Sequence, residues 1–247
     1  MALARGGLPG AGTHDRGASS KQSEWSSEVP GEVTVNKGRV EAFSDGVFAI
    51  AITLLVLTIA QPSDYSQLAR QLLERWPSLA AYVVSFLVIG IMWLNHHTVF
   101  SYVLRIDRGF FYRNLVLLMT VVFIPYPTEV FGEALRTGAG ERTAAVFYSI
   151  VMTVNGLAWA ALWLHASIGR RLLNDELPEE QRRSSTILFV AGAGVYLVSI
   201  GIAFINPYLC LAFHGALAVY YARDPISRRL DRSELARSAD LECEDDP

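Results

Sequence analysis

From residue 38 the chain runs as long apolar stretches divided by short polar breaks, most of them marked by Pro, Gly or Arg. A helix needs roughly 20 residues to cross about 30 Å of hydrocarbon, with a tolerated range of about 17–25. The pattern predicts six such helices. The first covers Arg39–Gln61 and is closed by Pro62. The second covers Ser78–Val103 and is opened by Trp76-Pro77, Pro being favoured in a first helical turn. The third covers Phe110–Phe131 and is expected to end in the Pro125-Tyr126-Pro127 break, the fourth covers Thr143–His165 and the fifth Thr186–Ile205. A shorter sixth, Pro207–Ala222, is joined to the fifth by the Asn206-Pro207 turn. The predicted fold is therefore all-α, a polytopic membrane protein with six transmembrane helices per chain. Between the first two spans, Asp64–Arg75 places Leu68, Leu72 and Leu73 on one face, the pattern of a short helix lying in the membrane interface.

Three regions follow. Residues 1–37 are rich in Gly, Ser and Ala without the apolar core of a signal peptide, and are expected to form a disordered tail. Residues 38–222 form the membrane domain. Residues 223–247 alternate Arg with Asp and Glu, end acidic, and are expected to be a solvated tail. Composition agrees with this division: 51% of residues are hydrophobic and 18% charged, against about 25% charged in soluble domains. A net charge of −3 gives no basic surface for nucleic acid. Two cysteines, Cys210 in an apolar run and Cys243 in the acidic tail, give no disulfide framework. All but four of the 21 Lys and Arg fall on the side shared by both tails and the second and fourth loops, the exceptions being Arg70, Arg75, Arg136 and Arg142. By the positive-inside rule both termini are expected in the cytoplasm.

Polar residues inside the spans carry the candidate chemistry. A charge at the bilayer centre costs about 2.5–3.5 kcal/mol on insertion scales, yet Asp45 lies about two turns into the first span, after Arg39, Phe43 and Ser44. Arg39 and Asp45 are six residues apart and so do not adjoin on one helix face. Two readings stand: Asp45 anchors the helix start at the interface with Arg39, or it enters a buried interhelical network with His96, His97 or Asn114. Further along, Ile50, Thr53, Leu54 and Leu57 fall at i, i+3, i+4 and i+7, one stripe of a helix. Composition alone assigns that stripe to lipid or bundle packing. His96 and His97 point about 100° apart on a helix and cannot share one ion, so they read as polar links between helices. His165 and His214 have no carboxylate nearby in sequence. The chain lacks G-x-S-x-G, P-loop and HExxH motifs, which leaves no enzymatic signature. It also lacks a T-V-G-Y-G filter and a regular Arg repeat, so it is neither a pore-loop channel nor a voltage sensor.

The run Arg39-x-x-x-Phe43-Ser44-Asp45, opening the first span, resembles the signature of the transmembrane protein 175-like potassium channel family. Trp93 with His96-His97, and Asn114 with the later Pro-Tyr-Pro, resemble that family's second and third helices. The resemblance covers about residues 36–222 and is to the single-repeat bacterial type. It implies a potassium-selective leak channel with a pore lined by first helices, assembled as a homotetramer in a plasma membrane, with no cofactor and K⁺ as the permeating ion. By position, Ile50 matches the narrowest apolar ring, Leu54 and Leu57 further rings, and Thr53 a threonine layer associated with selectivity. Arg39, Phe43, Ser44 and Asp45, facing His96, His97 and Asn114, would fix the rotation of the pore helix without touching ions. The competing expectation is a proton- or cation-coupled secondary transporter that titrates Asp45 and the intramembrane histidines, although no inverted repeat or pair of broken helices is evident.

Overall fold

In the computed structural model, the described residues are 36–62, 65–168, 172–174 and 177–222, and they are almost entirely helical. They form α1 (Lys37–Leu54), continued by a 3-10 turn over Leu55–Thr58, then α2 (Leu68–Glu74), α3 (Trp76–Tyr102), α4 (Arg108–Phe123), α5 (Pro125–Thr137), α6 (Glu141–Ser167), α7 (Glu179–Ile205) and α8 (Pro207–Ala222). Both predicted tails lie outside the described residues, except that Asn36 and Lys37 open α1. Asn36 caps that helix, its Oδ1 accepting the Arg39 N–H at 3.2 Å.

Among the described residues five helical runs are long and apolar enough to cross a membrane: Lys37–Thr58, Trp76–Tyr102, Arg108–Thr137, Glu141–Ser167 and Arg182–Ile205. The count expected from sequence was six. The difference is α8, whose 16 residues fall below the length of an upright span. A second difference lies at Pro125-Tyr126-Pro127. These residues interrupt the third span without ending it. Ile124 keeps α-helical angles, Pro125 begins α5, and the helix continues to Thr137. Proline at a first helical position forfeits only an N–H that would have had no partner, and the Thr128 N–H still reaches the Ile124 carbonyl at 3.1 Å. Of the predicted interfacial helix Asp64–Arg75, Asp64 lies outside the described residues, Tyr65–Gln67 forms a 3-10 turn and α2 adds seven residues, with Leu72 and Leu73 exposed.

α6 runs through the interior, burying Tyr148, Met152, Trp159 and Trp163. Polar groups at this depth must find partners inside the protein, and they do so in short chains. Thr128 donates its hydroxyl hydrogen to the Ile124 carbonyl, so its oxygen accepts from Ser85 at 2.8 Å. Ser85 in turn accepts from the Tyr148 hydroxyl at 3.0 Å. One hydrogen per link joins α3, α5 and α6. The same joint depends on Gly132, where an added Cβ would stand 2.9 Å from the Ser78 Cα. Because the obstacle is backbone, Gly132→Val should force α5 off α3, at a cost of about 1–3 kcal/mol, and lower the thermal unfolding midpoint of the purified protein. An unchanged midpoint would show that the two helices part freely. At the α3–α4 end, Leu104 N–H donates to the Leu172 carbonyl at 2.8 Å and Asn174 N–H to the Tyr102 carbonyl at 2.9 Å. These bonds form a two-strand bridge between Val103 and Leu173, both of them buried.

Candidate functional site

α1 has two unlike faces. Val40, Ser44, Phe48, Ala51 and Leu55 recur every three or four residues and are fully buried, which is the helical period. They turn inward against α3 and α4. The opposite face carries Arg39, Phe43, Gly46, Ile50, Thr53 and Leu54, all exposed. Phe43 is 54% exposed, Ile50 57% and Leu54 38%. Leu57 lies in the 3-10 turn, where residues three apart eclipse, so it stands above Leu54, 75% exposed.

The inward face is held by a directional chain of hydrogen bonds. Ser44 donates its hydroxyl hydrogen to the Val40 carbonyl at 2.8 Å. Its oxygen can then only accept, and it does so from Asn114 Nδ2 at 2.9 Å. The Asn114 carbonyl oxygen is thereby turned to His96 Nε2 at 2.9 Å, and a carbonyl only accepts. His96 is accordingly the Nε2–H tautomer. All three residues have no solvent exposure, and the His96 ring is enclosed by Phe100, Phe48 and Trp159, with centroids at 4.2, 5.3 and 6.2 Å. Its Nδ1 has no hydrogen-bond partner.

The hydrogen bond of Asp45 goes to neither histidine nor to Asn114. Its Oδ1 accepts the Trp93 indole N–H at 2.9 Å. His97 pairs instead with Glu41, 3.4 Å away. The pairing is regular: four residues back along α1, from Asp45 to Glu41, correspond to four forward along α3, from Trp93 to His97, as antiparallel helices require. Trp93, His96 and His97 sit at i, i+3 and i+4, one face of α3, and that spacing was the signal that could have identified Trp93 as the partner. Glu41 was missed because it lies near the helix start, where a carboxylate is unremarkable. Arg39 and Phe43 lie outside this arrangement, on the exposed face.

On that face Thr53 donates its hydroxyl hydrogen to the Ile50 carbonyl at 2.9 Å, so its oxygen is left to accept. Beyond the 3-10 turn the chain is anchored by Arg75, whose two terminal nitrogens donate to the Ala60 and Gln61 carbonyls at 2.6 and 2.8 Å. Away from α1, His165 finds a carboxylate that is distant in sequence: its Nε2 lies 2.9 and 3.1 Å from the two oxygens of Asp107. Asp107 also caps α4 through the Phe110 N–H at 2.6 Å. Partial burial acts to raise its pKa, but the Phe110 N–H and the His165 ring together outweigh this and hold the carboxyl below its usual value. Among the described residues no group of three or more His, Cys, Asp or Glu is placed to hold a metal ion.

The fold is that of a multispan helical membrane protein, and its first helix makes polar contacts on one face and is exposed on the other. The family model described as the endosomal/lysosomal potassium channel TMEM175 matches residues 39–125, which take in α1 from Arg39 onward, α3 and α4. A potassium channel of Streptomyces collinus is 50% identical over 186 residues, covering 74% of this chain and 90% of that protein. A potassium channel of Chamaesiphon minutus is 41% identical over 189 residues, covering 75% and 93%. Among solved structures, a lysosomal potassium-selective channel TMEM175 homolog from Chamaesiphon minutus aligns with a TM-score of 0.68 at 40% identity, covering 75% of this chain and 96% of that one. The chain belongs to the TMEM175 potassium channel family.

Proposed function

We propose that this protein is a potassium-selective, leak-type channel of the plasma membrane, formed by four copies around a pore lined by α1. The observation that carries the reading is the bare face of α1: Ile50, Thr53, Leu54 and Leu57 share it, while the opposite face is fully committed to α3 and α4. One such stripe cannot enclose a pore, so the mechanism requires several copies. Four Ile50 side chains brought together make an apolar ring that closes by dewetting and conducts when it widens. Selectivity then rests on partial dehydration, which costs less for K⁺ than for the more tightly hydrated Na⁺. The Thr53 oxygens, whose hydrogens are engaged by the helix, are available as ion ligands.

In this reading residues 38–222 form the channel domain. The charge bias of the loops supports cytoplasmic termini, with α8 crossing as a sixth span. Ser44, Asn114 and His96 hold α1 at the rotation that points Ile50 to the axis, with Asp45 and Trp93 as a second brace. These same bonds weigh against the transporter alternative. Asp45 is engaged by an indole, and His96 is sealed among aromatic rings with its Nε2 hydrogen committed. Purified protein in proteoliposomes should pass K⁺ in preference to Na⁺ down its gradient without a coupled ion, and native mass should give four copies. A saturating flux that requires a proton gradient would replace the channel with a transporter.

A further inference from the structure

A cavity of about 70 Å³ lies among α3, α6, α7 and α8, away from the bare face of α1. Its walls are mostly apolar, with Ile91, Trp159, Phe189 and Gly192 among them. Trp159 and Phe189 form a stacked pair, centroids 5.7 Å apart and planes 14° from parallel. Four polar side chains, Asn95, Asn155, Tyr196 and Tyr221, also line it, and of these Asn155 alone has a buried side-chain atom without a hydrogen-bond partner. Asn155 lines the cavity and has no solvent exposure.

The orientation of its amide follows from hydrogen counting. Thr120 donates its hydroxyl hydrogen to the Leu117 carbonyl at 2.7 Å, so the Thr120 oxygen can only accept, and it accepts from Asn155 Nδ2 at 2.8 Å. The other amide atom, Oδ1, is left without a hydrogen-bond partner. A buried, unpaired acceptor costs about 1–3 kcal/mol, and native proteins rarely leave one bare. The space beside it exceeds the roughly 10–15 Å³ that one water needs, and because the cavity is open on one side a small organic guest can extend beyond it.

We propose that this cavity is a binding site for a small, membrane-soluble molecule with an apolar or aromatic body and one hydroxyl donor, such as a phenol or a related alcohol. The hydroxyl hydrogen goes to Asn155 Oδ1, and the body lies against the Trp159–Phe189 wall. Water alone satisfies the acceptor but leaves the aromatic wall wet. An apolar guest covers the wall but strands the acceptor when it displaces that water. A hydroxyl-bearing guest meets both requirements.

The test uses the full-length protein in detergent and ¹⁹F NMR with two probes of similar shape, 4-fluorophenol and 4-fluorotoluene. 4-Fluorophenol should show a protein-bound resonance distinct from its micelle signal, with affinity about ten- to a hundredfold above that of 4-fluorotoluene, the range that one unsatisfied buried acceptor implies. Asn155→Leu should abolish the preference, and Ile91→Phe, which fills the space from a partly buried position, should remove the bound resonance of both probes. The wild-type comparison of the two probes stands even if a variant fails to fold. Equal binding of the two would make the cavity merely apolar. Absence of any bound 4-fluorophenol would leave it a water site. Either result overturns the proposal, and neither depends on whether the protein conducts ions.

Discussion

Ile50→Ala should raise potassium flux through reconstituted protein by about tenfold, the change that removing about 1.4 kcal/mol from a crossing barrier produces. The expectation follows from where the side chain stands. Ile50 is 57% exposed in the single subunit, so truncating it removes little of the subunit's own packing, and α1 retains its inward contacts through Ser44, Phe48 and Ala51. What changes is the ring that four copies would build. Four isoleucines close to a gap that water leaves, and four alanines leave a wider opening that stays wet. Thermal unfolding of the subunit fold should barely move. Flux equal to wild type in protein of normal assembly would remove Ile50 from the constriction and return the stripe to lipid packing.

Asn114→Leu should produce the opposite profile, a loss of stable protein with no specific change in ion preference. Leucine matches the shape of asparagine but neither donates nor accepts. Ser44 then loses its donor and the His96 Nε2–H loses its acceptor, both at positions without solvent. Each stranded group costs about 1–3 kcal/mol, although partners found in the unfolded state within a membrane reduce such figures. The measurement is the thermal unfolding midpoint, with Ser44→Ala and the double variant alongside. If the three residues act as one chain, the double variant should be less destabilised than the sum of the singles. Additive effects, or an Asn114→Leu protein as stable as wild type, would dissolve the brace.

Much of this arrangement was legible in the sequence. Apolar length located every span core, and Pro62, Trp76-Pro77 and Asn206-Pro207 marked boundaries within a few residues. Pro125-Tyr126-Pro127 misled because proline opens a helix as readily as it ends one. A local motif cannot distinguish an interruption from a terminus when the next helix, α5, follows after a single residue. α8 is a borderline case for the same reason, since length is a weak criterion at 16 residues.

The polar residues divide differently. The sequence read His96 and His97 as polar links between helices, because hydrocarbon offers no hydrogen bonds, and left Asp45 between an interface anchor with Arg39 and an interhelical network with His96, His97 or Asn114. Which partner each one takes did not follow. Asp45 meets Trp93, His97 meets Glu41, and His165 meets Asp107 across 58 positions. These choices depend on the register of antiparallel helices, which is fixed by packing along their whole length and leaves no local trace. The sequence by itself determined the helical class, the cores of five spans and the polar residues within them that called for an explanation. Tertiary structure alone decided which face of α1 is sealed and which is bare, because beyond Asp45 every face of that helix is apolar in composition and only neighbours distinguish one from another.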